Sequence, residues 1–233
     1  MARNAHPEVT RRRILDAAQK LFFTKGYEHT TMRDILDELG DLSKGAIYHH
    51  FASKEAILDA LCEEDGQRMK ASPIRNDDSL DGLHKMRALI ANSVTDMPHM
   101  QLMGEAYPTL EDPTTLAANL KAWRTIVADM FLELIDAGIE DGSITTDYPR
   151  EAAEIISLLT NYWLAPTFYP GTQAELRHRV KALALMCDSL GVPLFTDELI
   201  DQLTEGYAAF LGSTESHIGE ETQRSGDGDG PAA

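Results

Sequence analysis

The sequence has few cysteines, no long apolar run and a shortage of basic residues, and each scarcity excludes a class of protein. Only Cys62 and Cys187 occur in 233 residues, so we exclude a disulfide framework and expect reduced thiols. No run of about 18 apolar residues occurs, which argues against a membrane span. The first residues lack the apolar segment of a secretory signal. We therefore expect a cytoplasmic protein with no membrane partner.

The shortage of basic residues is confined to one part of the chain. The net charge of −17 from 38 acidic and 21 basic residues argues at first against nucleic acid. Residues 1–54, however, contain nine Lys and Arg against seven Asp and Glu, a net charge of +2. Residues 55–233 contain 12 against 31, a net charge of −19. The basic end can face phosphates while the acidic body aids solubility, and DNA affinity should fall steeply with salt.

Apolar residues recur at helical spacing and strand-like alternation is absent, so the sequence predicts an all-α fold. The first part is expected to hold a long helix, two short helices and a long fourth helix at about 53–71. Thr31, with Asp34 in a capping-box position, and Ser43 are the predicted N-caps of the short helices, and Gly40 ends the first of them. Two short capped helices joined around a glycine are typical of a helix-turn-helix, here at about 31–51.

Composition divides the chain into two domains and a tail. The first domain is predicted at 8–69, with a boundary at 73–79, and a second helical domain at 79–211. Residues 212–233 have almost no apolar side chains and are predicted to be disordered. Prolines and glycines separate further helices, which are expected near 79–96, 99–107, 114–140, 149–168, 172–191 and 196–211.

Residues 8–64 resemble the DNA-binding domain of the tetracycline-repressor (TetR) family. The resemblance rests on RRRILDAAQKLFFTKGY (11–27), TTMRDILDELG (30–40) and SKGAIYHHFASKEAIL (43–58), and the remainder matches only in helix count and length. It implies a transcriptional regulator whose second domain dimerises and senses a small-molecule effector. The common outcome in the family is a repressor released from a palindromic operator, and activation stays open. One departure is the turn 39–43, which has one residue more than the usual LGVSKG and leaves the angle of the next helix open.

The resemblance places residues 43–50 in the major groove as the recognition helix. Small residues at its start let the backbone approach base edges. Predicted DNA contacts, from side chains and helix N-termini, are Thr31, Ser43, Lys44, Gly45, Ala46, Tyr48, His49, Lys54 and Arg11. Arg11, with Arg3, Arg12 and Arg13, is expected to reach the flanking DNA backbone or the minor groove.

Each of these residues also has a purely structural interpretation. Thr31 and Ser43 fit as caps alone, Tyr48 as a residue packed on the first helix, and the arginines 11–13 as a solvated face. A metal site at the adjacent histidines 49 and 50 is disfavoured because neighbouring helical residues point apart. We expect neither a metal nor a cofactor.

A homodimer is expected because one recognition helix reads too few base pairs for specificity. Its surface is predicted at Ile155, Leu159 and Tyr162, and at Leu176, Val180, Leu183 and Cys187, whose spacing forms an a/d seam. An intramolecular core is the alternative, since Leu116, Leu120, Trp123, Val127 and Met130 show the same spacing.

An effector pocket is implied among the helices at 79–140 and part of 149–168. Methionine and aromatic side chains adapt to varied apolar ligands. The candidate lining residues are Met86, Met97, Met100, Met103, Tyr107, Trp123, Met130, Phe131 and Trp163, with His84 and His99 as candidates for orienting a ligand. At helical spacing the same residues equally fit an ordinary core.

Other function classes make distinct predictions. No nucleotide-binding glycine motif, zinc-type spacing or nucleophile elbow is found, so an enzyme is not expected. An interaction protein that no longer binds DNA would explain the extra turn residue and the acidic Asp41. A DNA-architectural protein would be insensitive to every small molecule.

Overall fold

The computed structural model describes residues 7–208, and that part of the chain is helical without strands. The predicted all-α fold is confirmed. The helices are α1 (Pro7–Lys25), α2 (Met32–Leu39), α3 (Lys44–His50), α4 (Lys54–Lys70), α5 (Gly82–Thr95), α6 (Met97–Ala106), α7 (Pro113–Asp141), α8 (Pro149–Leu158), α9 (Gln173–Ser189) and α10 (197–208), with 3-10 turns at Pro73–Asn76 and Tyr107–Glu111 and a π-helical turn at Leu159–Trp163. Arg3, the far end of the predicted helix 196–211 and the tail 212–233 lie outside the described residues.

The chain forms two compact units. Of the described residues, unit 1 contains 7–76 and 98–120, and unit 2 contains 77–97 and 121–208. The chain leaves unit 1 after Asn76, inside the segment 73–79 that sequence marks as a boundary. Residues 98–120, which the sequence-based division assigns to the second domain, belong to unit 1. The domain limits 8–69 and 79–211 remain predictions.

The core of unit 1 is built from the inner faces of α1 to α4. Its buried members are Ile14, Leu15, Ala17, Ala18, Phe22, Tyr27, Ile35, Ile47, Phe51, Ile57, Leu58, Ala60, Leu61 and Leu102. Leu102 comes from α6 and is 2% exposed, so α6 is part of this core. Burying Ile35 of α2 and Ile47 of α3 in this shared core compensates for helices too short to be stable alone.

In unit 2, α5 and the second half of α7 pack at close range around Gly82 and Gly138, and α10 contacts α5 where Gly206 meets Val94. Asp81 caps α5 by accepting from the His84 N–H at 2.8 Å. The Asp141 carboxylate accepts from the Gly82 N–H at 2.7 Å and joins the end of α7 to the start of α5. Fully buried side chains include Met86, Ile135, Ile156, Leu164, Leu183 and Leu194.

Prolines explain two of the differences between the expected and the observed helix limits. The predicted helix 149–168 ends as α8 and a π-helical turn at Trp163, because Pro166 disfavours helical backbone at the residue before it. Helix α6 begins at Met97, one residue before the expected break at Pro98. A proline in the first helical turn lacks only an N–H that has no partner there. In the described part of the chain, no helix is both long and apolar enough to cross a bilayer.

Candidate nucleic-acid interface

The helix-turn-helix is built by local hydrogen bonds that its sequence encodes. Thr31 and Asp34 form a capping box: the Thr31 Oγ1 accepts from the Asp34 N–H at 3.2 Å, and the Asp34 carboxylate accepts from the Thr31 N–H at 2.7 Å. Ser43 caps α3 by accepting from the Ala46 N–H at 3.2 Å. Ile35 and Ile47 are fully buried and fix which face of each helix points outward. The predicted caps are therefore present in the structure.

The turn between α2 and α3 is held from outside by α1. Gly40 ends α2 with φ of 70°, a conformation that favours glycine. Asp41, which belongs to the lengthened turn, accepts two hydrogen bonds from the Arg13 guanidinium at 2.6 and 3.1 Å. Arg13 lowers the pKa of the Asp41 carboxyl through this bidentate contact. Arg13 thus anchors the extra residue and offsets its negative charge beside the recognition helix.

The outer face of α3 is open. Lys44, Gly45, Tyr48 and His49 are exposed, with Tyr48 at 44%, whereas Ala46 is half-buried. The Lys44 Nζ lies 5.8 Å from the centroid of the Tyr48 ring, so a cation and an aromatic hydroxyl are presented together. Among residues 7–208, no cluster of three or more His, Cys, Asp or Glu is arranged for a metal ion.

A recess lies beside α3, next to the N-termini of α2 and α4. We call it the cap recess, and it measures ≈ 360 Å³. Its walls are Glu28, Thr30, Thr31, Met32, Tyr48, Ala52, Ser53, Lys54 and Glu55. The capping residues of α2 and α4, Thr31 and Ser53, both line it, and helix N-termini attract phosphate. The recess brings together Thr31, Tyr48 and Lys54, three of the predicted DNA contacts.

Lys54 is held in place by Tyr27, which lies two residues after the end of α1. The Lys54 Nζ donates to the Tyr27 carbonyl at 2.8 Å and lies 4.0 Å from the centroid of the Tyr27 ring. The Tyr27 N–H in turn donates to the Glu105 carboxylate of α6 at 2.6 Å. Sequence reasoning missed Glu105, because a contact across 78 residues leaves no mark in local spacing.

The arginines expected at DNA are engaged within unit 1. Arg11 and Arg12 both donate to the Glu64 carboxylate of α4, at 2.6 and 2.9 Å. The Arg11 guanidinium also lies 5.5 Å from the centroid of the Phe51 ring. Arg13 contacts Asp41, so all three arginines of α1 connect this helix to other parts of unit 1.

The predicted effector-pocket residues fall in both units. Met100, Met103 and Tyr107 belong to unit 1; Met86, Met97, Trp123, Met130, Phe131 and Trp163 belong to unit 2. Met103 packs against the core of unit 1, whereas Met97 is 47% exposed. The Trp123 ring lies 6.2 Å from that of Tyr162, in an edge contact. His99 contacts the Asp65 carboxylate of α4 at 2.6 Å, and His84 contacts Asp81 at 2.8 Å.

The residues expected at a dimer surface divide by burial. Leu176, Val180, Leu183 and Cys187 are buried, the most exposed at 4%, so the seam of α9 packs inside unit 2. Ile155, Leu159 and Tyr162 are half-buried. Other apolar side chains are exposed: Leu158, Tyr169, Leu185 and Met186. A shallow recess of ≈ 420 Å³ lined by Leu158, Leu159, Tyr162, Trp163, Tyr169 and Met186 is called the apolar patch below.

Two short capped helices on a shared core, with the second helix open on one side, define a helix-turn-helix DNA-binding protein. Comparison with known proteins identifies the family. Residues 14–61 match the family model described as bacterial regulatory proteins, tetR family. The HTH-type transcriptional repressor KstR2 of Rhodococcus jostii (strain RHA1) is 31% identical over 193 residues, which cover 78% of this chain and 92% of that protein.

Two further similarities extend this result. The HTH-type transcriptional repressor AcnR of Corynebacterium glutamicum is 42% identical over 145 residues, 62% of this chain and 74% of that protein. The solved structure of a TetR-family transcriptional regulator from Pectobacterium atrosepticum is 25% identical with a TM-score of 0.61, over 82% of this chain and 98% of that one. The chain belongs to the TetR family of bacterial transcriptional regulators.

Proposed function

We propose that the protein is a repressor that binds a palindromic operator as a homodimer and releases it when a small-molecule effector binds. The observation that carries this proposal is the open outer face of α3, with exposed Lys44 and Tyr48 above a fully buried Ile47. KstR2 and AcnR, both named repressors, favour repression over activation. The protein would act in the cytoplasm, where its operator lies.

In this proposal α3 enters the major groove and the cap recess takes a backbone phosphate. Gly45 and Ala46 bring the helix backbone close to base edges, while Lys44 and His49 contact bases or phosphates. At the recess, Tyr48 offers its hydroxyl, Thr31 its helix N-terminus and Lys54 its ammonium group to a phosphate. Arg11 and Arg12, through Glu64, keep α1 and α4 in the register that this docking needs, and Arg13, through Asp41, holds the turn before α3.

The apolar patch is the proposed dimer surface. Leu158 and Met186 are 49% and 44% exposed and, with Tyr162 and Trp163, line one surface recess on unit 2. Exposed apolar side chains that line a common recess are typical of an interaction site. A second copy of the chain is the occupant that a two-fold operator requires. The buried seam of α9 would then support the patch from within.

The effector site is proposed within the helical part of unit 2, near the aromatic side chains of Trp123 and Tyr162. The Tyr162 ring lies 5.6 Å from that of Phe168, so three rings form a chain. Aromatic and methionine side chains suit an apolar effector. An effector that prefers one conformation of the dimer would lower the population that binds DNA. We propose binding without turnover, so a metabolite panel should yield release of DNA and no product.

Selection of sequences from random duplex DNA tests the proposal. The wild-type protein is expected to enrich a palindrome with half-sites about one helical turn apart or more. A variant with Lys44→Ala and Tyr48→Ala is the matched control, since both side chains are exposed and their loss leaves the core of unit 1 intact. Enrichment by the wild type alone supports the proposal. Absence of any enriched sequence would favour an interaction protein instead.

A further inference from the structure

We propose that Glu105 is a positioning residue for DNA binding, since it fixes Tyr27 and through Tyr27 holds the Lys54 ammonium at the wall of the cap recess. The inference deepens the proposed function and depends on it, because it assigns a task to the phosphate contact of Lys54. Glu105 lies on α6, which the DNA-binding motif does not include. The three residues belong to unit 1.

The backbone of Tyr27 is the link between the two charged side chains. Its N–H donates to the Glu105 carboxylate at 2.6 Å, and its carbonyl accepts from the Lys54 Nζ at 2.8 Å. The Tyr27 ring is 6% exposed and makes an edge contact with Phe22 at a centroid distance of 5.1 Å. Because the ring is packed, a backbone shift at Tyr27 also moves the surface on which Lys54 rests.

Lys54 is placed so that part of its hydrogen-bonding capacity remains for a ligand. An ammonium group carries three N–H donors, and the Tyr27 carbonyl takes one of them. The same side chain lines the cap recess with Thr31 and Tyr48. A lysine side chain loses much rotamer freedom when it binds a phosphate. Holding Lys54 in advance removes part of that loss, which is the general advantage of preorganisation.

Glu105 reaches Tyr27 from a firmly held helix. Leu102, one turn before Glu105 on α6, is 2% exposed in the core of unit 1. His99, at the start of α6, contacts the Asp65 carboxylate at 2.6 Å. Burial raises the pKa of the Glu105 carboxyl, the Tyr27 N–H opposes this shift, and Glu28 adds to it. A partly buried carboxylate is unfavourable for stability alone, and its hydrogen bond to the Tyr27 N–H is what Glu105 supplies in return.

Operator affinity measured against salt concentration tests the inference. Lys54→Ala should flatten the dependence of log affinity on log salt by about one phosphate contact, a slope change of about 0.9. Glu105→Ala should weaken binding and flatten the slope in the same direction. Glu105→Gln should restore both, because its amide oxygen can accept from the Tyr27 N–H. Glu111→Ala removes an exposed charge nearby in unit 1 and is the matched control, with wild-type slope expected.

A double variant separates positioning from general destabilisation. If Glu105 acts through Lys54, adding Glu105→Ala to Lys54→Ala should change operator affinity little. Should Glu105→Ala fail to fold, Glu105→Met keeps the volume and removes the acceptor, and is tested the same way. A wild-type slope for Glu105→Ala, or for Glu105→Met in its place, beside a flattened Lys54→Ala slope would overturn the inference and leave the proposed function standing. Absence of duplex binding by the wild type would instead overturn the proposed function.

Discussion

Tyr48 is the side chain of α3 whose role is most directly measurable. It is 44% exposed and lines the cap recess. Tyr48→Ala should weaken operator binding by about 1–3 kcal/mol, because a phosphate contact and its ring support are lost. Fluorescence anisotropy with a labelled operator provides the measurement. Tyr148→Ala is the control, since Tyr148 is 56% exposed but belongs to unit 2. Equal operator affinities for Tyr48→Ala and Tyr148→Ala would show that Tyr48 does not contact DNA.

Single residues show where sequence reasoning reaches its limit. The caps Thr31 and Ser43 were predictable because a cap bonds to residues three positions away. The partners of Arg11, Arg13 and Lys54 were not, since they lie 53, 28 and 27 residues distant in sequence. The sequence shows that a basic residue is present and leaves open whether a carboxylate, a carbonyl or a phosphate accepts from it.

At the scale of elements, the capping box of α2 gives the fold a defined response to acid. The Thr31 hydroxyl and then Lys25 and the Thr31 N–H hold the pKa of Asp34 well below its usual range. A carboxyl with a lowered folded-state pKa stabilises the fold above its unfolded pKa, about 3.9. That contribution disappears as the pH falls towards the folded-state pKa. The capping box should therefore stabilise α2 at neutral pH and not in strong acid.

Asp34→Asn tests this response. The variant should unfold at a lower urea concentration than wild type at pH 7, and the difference should shrink progressively below about pH 4. Asp37→Asn removes a charge from the same helix without touching the cap and is the control for Asp34→Asn. Loss of the cap hydroxyl in Thr31→Ala should lower the free energy of unfolding by about 1 kcal/mol at pH 7. A difference between Asp34→Asn and Asp37→Asn that stays constant from pH 7 to pH 3 would contradict the capping account.

The packing of α5 on α7 depends on the absence of a side chain at Gly82. A Cβ there would lie 2.3 Å from the Gly138 nitrogen and 2.7 Å from the Leu134 carbonyl oxygen. Gly82→Ala should destabilise unit 2 by about 1–3 kcal/mol or more, because backbone must move. Gly66→Ala is the matched control, since a Cβ in that helical position meets nothing within 4 Å. It should instead stabilise α4 by about 0.5–1 kcal/mol. Thermal unfolding of both variants provides the comparison.

Helical spacing predicts that a face is buried and leaves open what buries it. The seam of α9 fits a neighbour in the same chain as well as one in a partner, and the structure places Val180 and Leu183 in the core of unit 2 at 0% exposure. The predicted pocket shows the same ambiguity, since Met86 is fully buried while Met97 is exposed. Sequence periodicity cannot decide either case, because the choice depends on tertiary contacts that spacing does not encode.

At the scale of the whole molecule, the proposed palindromic operator requires a two-fold symmetric dimer. Leu158→Glu or Met186→Glu places a charge in the apolar patch and should convert the dimer to monomers, because an unpaired charge at an apolar interface is costly. The affinity of these variants for the operator should fall as the dimer is lost. Ile126→Glu is the matched control, since Ile126 is 68% exposed on α7, outside the patch. Sedimentation velocity distinguishes the outcomes, and dimers in the patch variants would place the interface elsewhere.

The distribution of charge over the whole molecule explains why the net charge does not indicate whether the protein binds DNA. The chain carries −17 overall, yet residues 1–54 carry +2, and the exposed face of α3 presents Lys44 and His49 to solvent. The overall charge describes the acidic body, whereas binding depends on the local field at the reading surface. Fold class and helix-turn-helix position followed from local sequence patterns. The internal pairing of the basic residues did not, and it shifts the proposed DNA contacts from the arginines of α1 to α3 and the cap recess.

The most direct test of the central claim is amide hydrogen exchange measured by mass spectrometry, with the selected operator and with a scrambled duplex. The account predicts that the operator slows exchange in peptides covering residues 31–54, from the capping box through α3 to the start of α4. The scrambled duplex at the same salt concentration should slow exchange there much less. Slowed exchange elsewhere in the chain, with residues 31–54 unchanged by the operator, would contradict the claim that α3 and the cap recess bind DNA.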